Sequence, residues 1–157
     1  MTNERIDLLE RGDNFAPATA RAIWNGSVNV PANGNATLPV SSLIEVTGNI
    51  FEYVPAAQAL RIKQAGVVGF LVNVSCNATG VGNMNVLLRQ FSPLHEWTLA
   101  IQPYYLHSNF SFATGGARLV SVPAGGANYQ IYVVNTGGTG NFTLSTVDIR
   151  LVYLGRR

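Results

Sequence analysis

Residues Ala65 to Ser75 read AGVVGFLVNVS, and in this run Val68, Phe70, Val72 and Val74 fall on one side while Asn73 and Ser75 fall on the other. An alternation of two is the signature of a pleated strand with one face toward a core, because successive side chains leave a strand on opposite faces. The β-branched residues in the run suit that surface. The reading is therefore a half-buried strand whose Val68/Phe70/Val72/Val74 face is core.

The same period continues on both sides. From Arg21 onward, apolar residues alternate with small polar ones, and clusters of Gly, Asn and Pro interrupt the pattern about every ten residues. Upstream lie IWNGSVNV (Ile23 to Val30), ATLPVSSLIEV (Ala36 to Val46), IFEYV (Ile50 to Val54) and ALRIKQAG (Ala59 to Gly66). Downstream, the loop-like CNATGVGN (Cys76 to Asn83) precedes MNVLLRQFS. A long mixed stretch, HEWTLAIQPYYLHSNFSF, then leads to ARLVSVPAGG, NYQIYVVNTGGTG and NFTLSTVDIRLVYLG. In the last of these Val147, Ile149, Leu151 and Tyr153 point one way, and Asp148 and Arg150 point the other, where they can pair. VPANG (Val30 to Gly34) and VPAGG (Val122 to Gly126) reuse the same turn chemistry. About eight to ten antiparallel strands with no helix between them bury themselves as a two-sheet sandwich or a barrel. The predicted fold class is all-β.

The first residues differ. Six of the eighteen charged residues lie within the first thirteen positions, two Arg against four acids, for a local sum of −2. TNERIDLLERG (Thr2 to Gly12) carries a capping residue at its start, acids early, Ile6, Leu8 and Leu9, and a terminating Gly, which predicts two or three helical turns. A helix so short is marginal alone and requires something to pack against. NFAPATA (Asn14 to Ala20) reads as extended linker, since Pro17 disfavours helix at the residue before it. The expected division is an N-terminal arm, residues 1–21, and a β body, residues 22–157.

Composition bounds the chemistry. The 157 residues make one domain. Charged residues are 11% against a usual figure of about 25%, and the net charge of +2 comes from scattered basic residues, so no phosphate-binding footprint is present and nucleic acid is not an expected partner. No run approaches the roughly eighteen apolar residues of a membrane span, and the acidic start does not read as a signal peptide. Synthesis and folding in the cytoplasm, with no membrane partner, is the expectation. Cys76 is the single cysteine, read as a buried structural thiol.

Two stretches, LRIKQAGVVGFLVNVSCNATGVGNMNVLLRQ (Leu60 to Gln90) and ARLVSVPAGGANYQIYVVNTGGTGNFTLSTVDIRLVYLG (Ala117 to Gly155), resemble the tumour-necrosis-factor/C1q-like jelly roll. Ala65-Gly66 and Ala124-Gly125 occupy the family's characteristic turns, each leading into alternating strands. Val67 and Val68 stand where an aromatic usually follows the first turn, and Gly126 where an acid is common after the second. The resemblance implies a jelly-roll sandwich and a homotrimer whose flat apolar faces meet about a threefold axis. The nine charged side chains between Ala22 and Gly155 fit a surface that is partly hidden. Tyr53, Tyr104, Tyr105 and Tyr132 are the expected interface aromatics.

With its acidic amphipathic arm and Gly/Asn/Thr-rich β body, the chain is similar to small structural proteins of tailed bacteriophages. That similarity implies a virion protein on the capsid surface, a decoration trimer whose arm binds the major capsid protein or another virion protein through Ile6, Leu8, Leu9 and Phe15. The alternative it implies is a receptor-binding head of a fibre, with Trp97 and His107 as candidate contacts to host surface glycan.

Signals for chemistry are sparse. His95, His107, Glu96 and Asp148 are the candidates for acid–base work, and the twelve-residue spacing of the two histidines fixes no common face. No G-x-S-x-G elbow occurs, and Gly80-Val81-Gly82 and Gly137-Gly138-Thr139-Gly140 lack the lysine of a phosphate loop and read as turns. Six Asn-x-Ser/Thr sequences, at Asn25, Asn35, Asn73, Asn77, Asn109 and Asn141, read as strand alternation with small polar residues outward. Arg11-Gly12-Asp13 matches an integrin-recognised tripeptide, but its Gly already serves to end the predicted helix. No enzyme activity, cofactor or metal is expected.

Overall fold

The computed structural model describes residues 17–38, 40 and 42–156; for residues 105–110 it describes the backbone path only. Ile6, Leu8, Leu9 and Phe15, and the predicted helix that holds three of them, lie outside the described residues. The elements are β1 (Ala18–Val30), β2 (Asn35–Thr37), β3 (Phe51–Val54), a short 3₁₀ turn (Pro55–Ala57), β4 (Ala59–Ile62), β5 (Gly66–Phe91), β6 (His95–Val122), β7 (Ala127–Thr136) and β8 (Asn141–Gly155). β1 begins at Ala18, so the end of the segment read as linker is already paired in the sheet, Thr19 with Val152 and Ala20 with Leu151.

β5 and β6 form one long antiparallel hairpin, and each strand serves two sheets. The first half of β5 lies between β8 and the second half of β6, with β1 beyond β8. Its second half lies between β7 and the first half of β6, with β4, β3 and β2 beyond. The two layers of a sandwich are thus linked by strands that bend from one to the other. CNATGVGN is corrected from loop to strand. It is the bend of β5, where the pairing with β6 shifts register between Ala78 and Gly80. Gly80 takes φ +82°, and a Cβ there would stand 2.8 Å from the Gly140 Cα, so the bend needs a residue without a side chain.

The core confirms the reading of the decisive strand. Val68, Phe70, Val72 and Val74 are all 0–1% exposed, and the same phase continues through Met84, Val86 and Leu88 on the second sheet. From β8 come Val147, Ile149, Leu151 and Tyr153, also buried. Fully burying aliphatic and aromatic side chains of this size is worth roughly 1.5–3 kcal/mol each, and here they interdigitate in one cluster. Phe70 packs on Tyr129 with ring centroids 5.1 Å apart.

Polar groups inside are paired. The Tyr129 hydroxyl donates to Gln90 Oε1 at 2.7 Å, while Gln90 Nε2 donates to the Pro93 carbonyl at 3.0 Å. Among the described residues no buried side-chain nitrogen or oxygen is left without a partner. Cys76 is buried at 2% exposure beside Met84, and burial pushes its thiol up to about 12.

Candidate functional site

The outward face of the β1–β8–β5–β6 layer carries apolar side chains where a solvated sheet would carry polar ones. Pairing sets its rows: Val152, Gly69 and Leu119 stand side by side across β8, β5 and β6, and Arg150, Leu71 and Ala117 form the next row. Leu154 follows at the end of β8. Leu71 is 42% exposed, Leu119 65% and Leu154 56%. Because Gly69 adds no side chain between Val152 and Leu119, the rows enclose a hollow of about 520 Å³.

Charge borders the hollow. Arg21 on β1 clamps Asp148 on β8 through two hydrogen bonds, Nε to Oδ1 at 3.1 Å and Nη2 to Oδ2 at 2.8 Å. These bonds hold the Asp148 carboxyl below the usual carboxylate range. Arg150, which the alternation places where it can pair with Asp148, does approach it, more loosely at 3.9 Å, and remains about half exposed beside the apolar hollow. Away from the hollow the same face turns polar: Thr146 donates to Asn25, Thr143 to Asn29, and Ser111 to Asn77. The two halves of one sheet face therefore differ sharply in polarity.

The expected site residues are scattered. Tyr104 is corrected from interface to interior. It is 2% exposed, its ring edge-on to Phe142 at 6.2 Å, because its β6 position faces the space between the sheets. Tyr53 is half-buried against the core. Tyr132 lies under the Arg89 guanidinium, 4.2 Å from its ring centre, on the second sheet. The side chains of Tyr105 and His107 lie outside the description.

Trp97 is partly buried against the core and stands 5.8 Å, ring to ring, from exposed His95. The pair lines a second hollow of about 410 Å³ with Pro93, Ser121 and Pro123. Glu96 is bonded to Arg89 at 2.7 Å. Among the described residues no three of His, Cys, Asp and Glu stand close enough to hold a metal ion, and no helix is long and apolar enough to cross a membrane.

The apolar hollow is not apparent from the core phase of the strands, which carries the stronger periodic signal. Leu71, Leu119 and Leu154 occupy the opposite phase, and large aliphatics at those positions are the signal that marks the face.

No family model matches the chain, and no curated protein matches it. Solved structures do. The Eiger TNF of S. frugiperda aligns with a TM-score of 0.64 at 16% identity over 90% of this chain and 95% of that one. Murine APRIL at pH 5.0 aligns at 0.60 and 10% identity, covering 88% of this chain and 99% of its own. The globular domain of zebrafish complement 1qA aligns at 0.55 and 10% identity, covering 89% and 99% respectively. The fold is that of the TNF/C1q-like jelly rolls.

Proposed function

We propose that this chain is a non-enzymatic virion structural protein, a homotrimer that decorates or cements a bacteriophage capsid. It is made in the host cytoplasm and held on the capsid surface by its N-terminal arm. The observation that carries the self-association is the exposed apolar face at Leu71, Leu119 and Leu154, since closed cyclic assembly hides such a surface. The TNF/C1q-like fold and the scarcity of charge in the β body support the same reading. Binding only to the assembled shell would lower that state's free energy by mass action.

The test is the mass of residues 17–157, which contain the whole described sandwich, measured across a concentration series by sedimentation. Assembly to three copies supports the reading, and a body that stays monomeric throughout overturns it. Capsid binding by the full chain, lost on removal of residues 1–16, supports the anchoring role; retained binding overturns it.

A second reading, a fibre head that contacts host surface glycan, is favoured by the Trp97–His95 pair in its hollow. An apolar ring face beside hydrogen-bonding groups suits a sugar. Host adsorption that falls in Trp97→Ala, with the fold intact, supports it, and unchanged adsorption removes it.

A further inference from the structure

We infer that Asn25 is a self-modification site: the backbone nitrogen of Gly26 displaces its side-chain amide, leaving aspartyl and isoaspartyl residues on the outward face of β1. The site stands apart from both the apolar hollow and the Trp97 hollow, so its chemistry depends on neither functional reading.

Two Asn-Gly pairs occur in the chain, Asn25-Gly26 and Asn33-Gly34. Glycine makes such a pair reactive because its nitrogen approaches the neighbouring side chain without a Cβ in the way. What separates the two pairs is how firmly the fold holds each backbone.

At Asn25 the hold is slight. Asn25, Gly26 and Ser27 are all exposed, and β1 is the border strand of its sheet. Pairing with β8 runs as far as Asn25 with Thr146 and resumes at Val28 with Leu144, so Gly26 and Ser27 share Ser145 between them. Two residues against one make a β-bulge, where the ladder is disrupted and the strand bends out of the regular pleat. The Asn25 side chain is loosely held too: its Oδ1 accepts from Thr146 at 3.3 Å, beyond the usual range for a hydroxyl donor.

Packing keeps glycine in place. A Cβ on Gly26 would stand 2.5 Å from the Trp24 ring, and Trp24 packs against the core. The position that favours glycine is therefore the one that leaves the Asn25 amide open to attack.

Asn33 is the internal control. Its backbone is fixed at φ +60°, the Gly34 N–H donates to the Pro31 carbonyl at 2.9 Å, and the Gly34 carbonyl accepts from the Asn135 N–H at 2.9 Å. The nitrogen that would attack is committed, and the turn must open before it reacts.

The step balances without an oxidant. The Gly26 nitrogen bonds to Asn25 Cγ and gives up its proton; the Cγ–Nδ2 bond breaks, and Nδ2 leaves with that proton as ammonia. Water then opens the cyclic imide at either carbonyl. Opening at Cγ gives aspartate, and opening at the main-chain carbonyl gives isoaspartate, whose backbone runs through Cγ. Either product lowers the net charge of +2 by one. Isoaspartate also adds a backbone carbon just before the bulge, so the pairs beyond it, Val28 with Leu144, Asn29 with Thr143 and Val30 with Phe142, lose their register.

The test incubates the full chain at neutral and mildly alkaline pH, folded and in denaturant, and then cleaves it at arginine. One peptide, residues 22–61, carries both pairs, and fragmentation in a mass spectrometer reads the two conversions side by side. In the folded chain, conversion at Asn25 is expected to outpace that at Asn33 about tenfold or more, to rise with pH, and to yield a substrate for an isoaspartyl methyltransferase. In denaturant the two rates are expected to converge. Equal rates in the folded chain, or a faster Asn33, overturn the assignment, and a ratio that persists in denaturant overturns the role of the bulge. Asn25→Gln keeps an amide that closes a ring far more slowly and is expected to remove the isoaspartyl signal; a signal left unchanged places the reaction elsewhere. Backbone hydrogen exchange over residues 27–30 that is faster in the isoaspartyl fraction than in fresh protein supports the loss of register, and unchanged exchange overturns it.

Discussion

The Tyr104 hydroxyl donates a 2.7 Å hydrogen bond to Asn135 Oδ1, and both side chains are buried. Asn135 Nδ2 in turn lies 3.2 Å from the Val30 carbonyl, 3.1 Å from that of Pro31 and 3.0 Å from that of Gly140. One amide thus ties β6 and β7 to the turn after β1 and the turn before β8. Asn135→Ala takes the acceptor from the buried Tyr104 hydroxyl and the amide donor from the buried Val30 and Gly140 carbonyl contacts, and is expected to cost about 3 kcal/mol or more in denaturant unfolding. Tyr104→Phe, which removes one bond and keeps the ring, is expected to cost about 1–2 kcal/mol.

Adjacent glycines separate two effects. Gly125 and Gly126 have φ of +84° and +82°, but a Cβ on Gly125 meets nothing within 4 Å, whereas on Gly126 it stands 2.1 Å from the Ile62 carbonyl oxygen. Gly125→Ala is expected to cost about 1–2 kcal/mol, the left-handed backbone alone. Gly126→Ala adds a backbone collision and is expected to lower the thermal midpoint well beyond its neighbour. Equal losses would contradict this.

The Arg21–Asp148 clamp makes stability depend on acid. Hydrogen bonds from Arg21 favour the ionised carboxylate, more than burial opposes it, so the folded value lies below the ordinary one. The stabilisation is full above about pH 3.9, the unfolded value, and is lost as pH falls through the lower folded value. Wild type is expected to exceed Asp148→Asn in denaturant midpoint at neutral pH, with the gap closing below pH 4. A gap that widens on acidification would reverse the sign.

Leu119 and Leu154 are 65% and 56% exposed, so replacing them leaves the core intact. Leu119→Glu and Leu154→Glu, in a body lacking residues 1–16, are expected to abolish self-association while changing monomer unfolding by about 0.5 kcal/mol or less. Normal assembly in both variants would move the interface elsewhere.

Cys76 is enclosed, with its thiol pushed up to about 12. It is expected to resist thiol reagents in native buffer and to react at once in denaturant. Rapid native labelling would show the strand open at the β5 bend.

Alternation alone determined the buried phase of the clearest strands, because a pleat sends every second side chain inward whatever the topology: Val68 to Val74 and Val147 to Tyr153 show it. It did not set strand bounds, since of Ala36 to Val46 only the start is strand, in β2 (Asn35–Thr37), and the mixed stretch from His95 belongs to β6. The turns at Ala65-Gly66 and Ala124-Gly125 were legible too, since few residues besides Gly accept positive φ. Pairing was decided only in three dimensions. Nothing in the one-dimensional pattern distinguishes a loop from a strand that bends, as CNATGVGN does in passing from one sheet to the other. Nor does it tell an aromatic facing solvent from one between sheets, so Tyr104 was placed by its partner Asn135, thirty-one residues away. The outward Leu71, Leu119 and Leu154 were visible singly, but strand order gathered them. Residues from β5, β6 and β8 form one hollow because the sheet sets those strands side by side, a long-range relation that local periodicity does not carry.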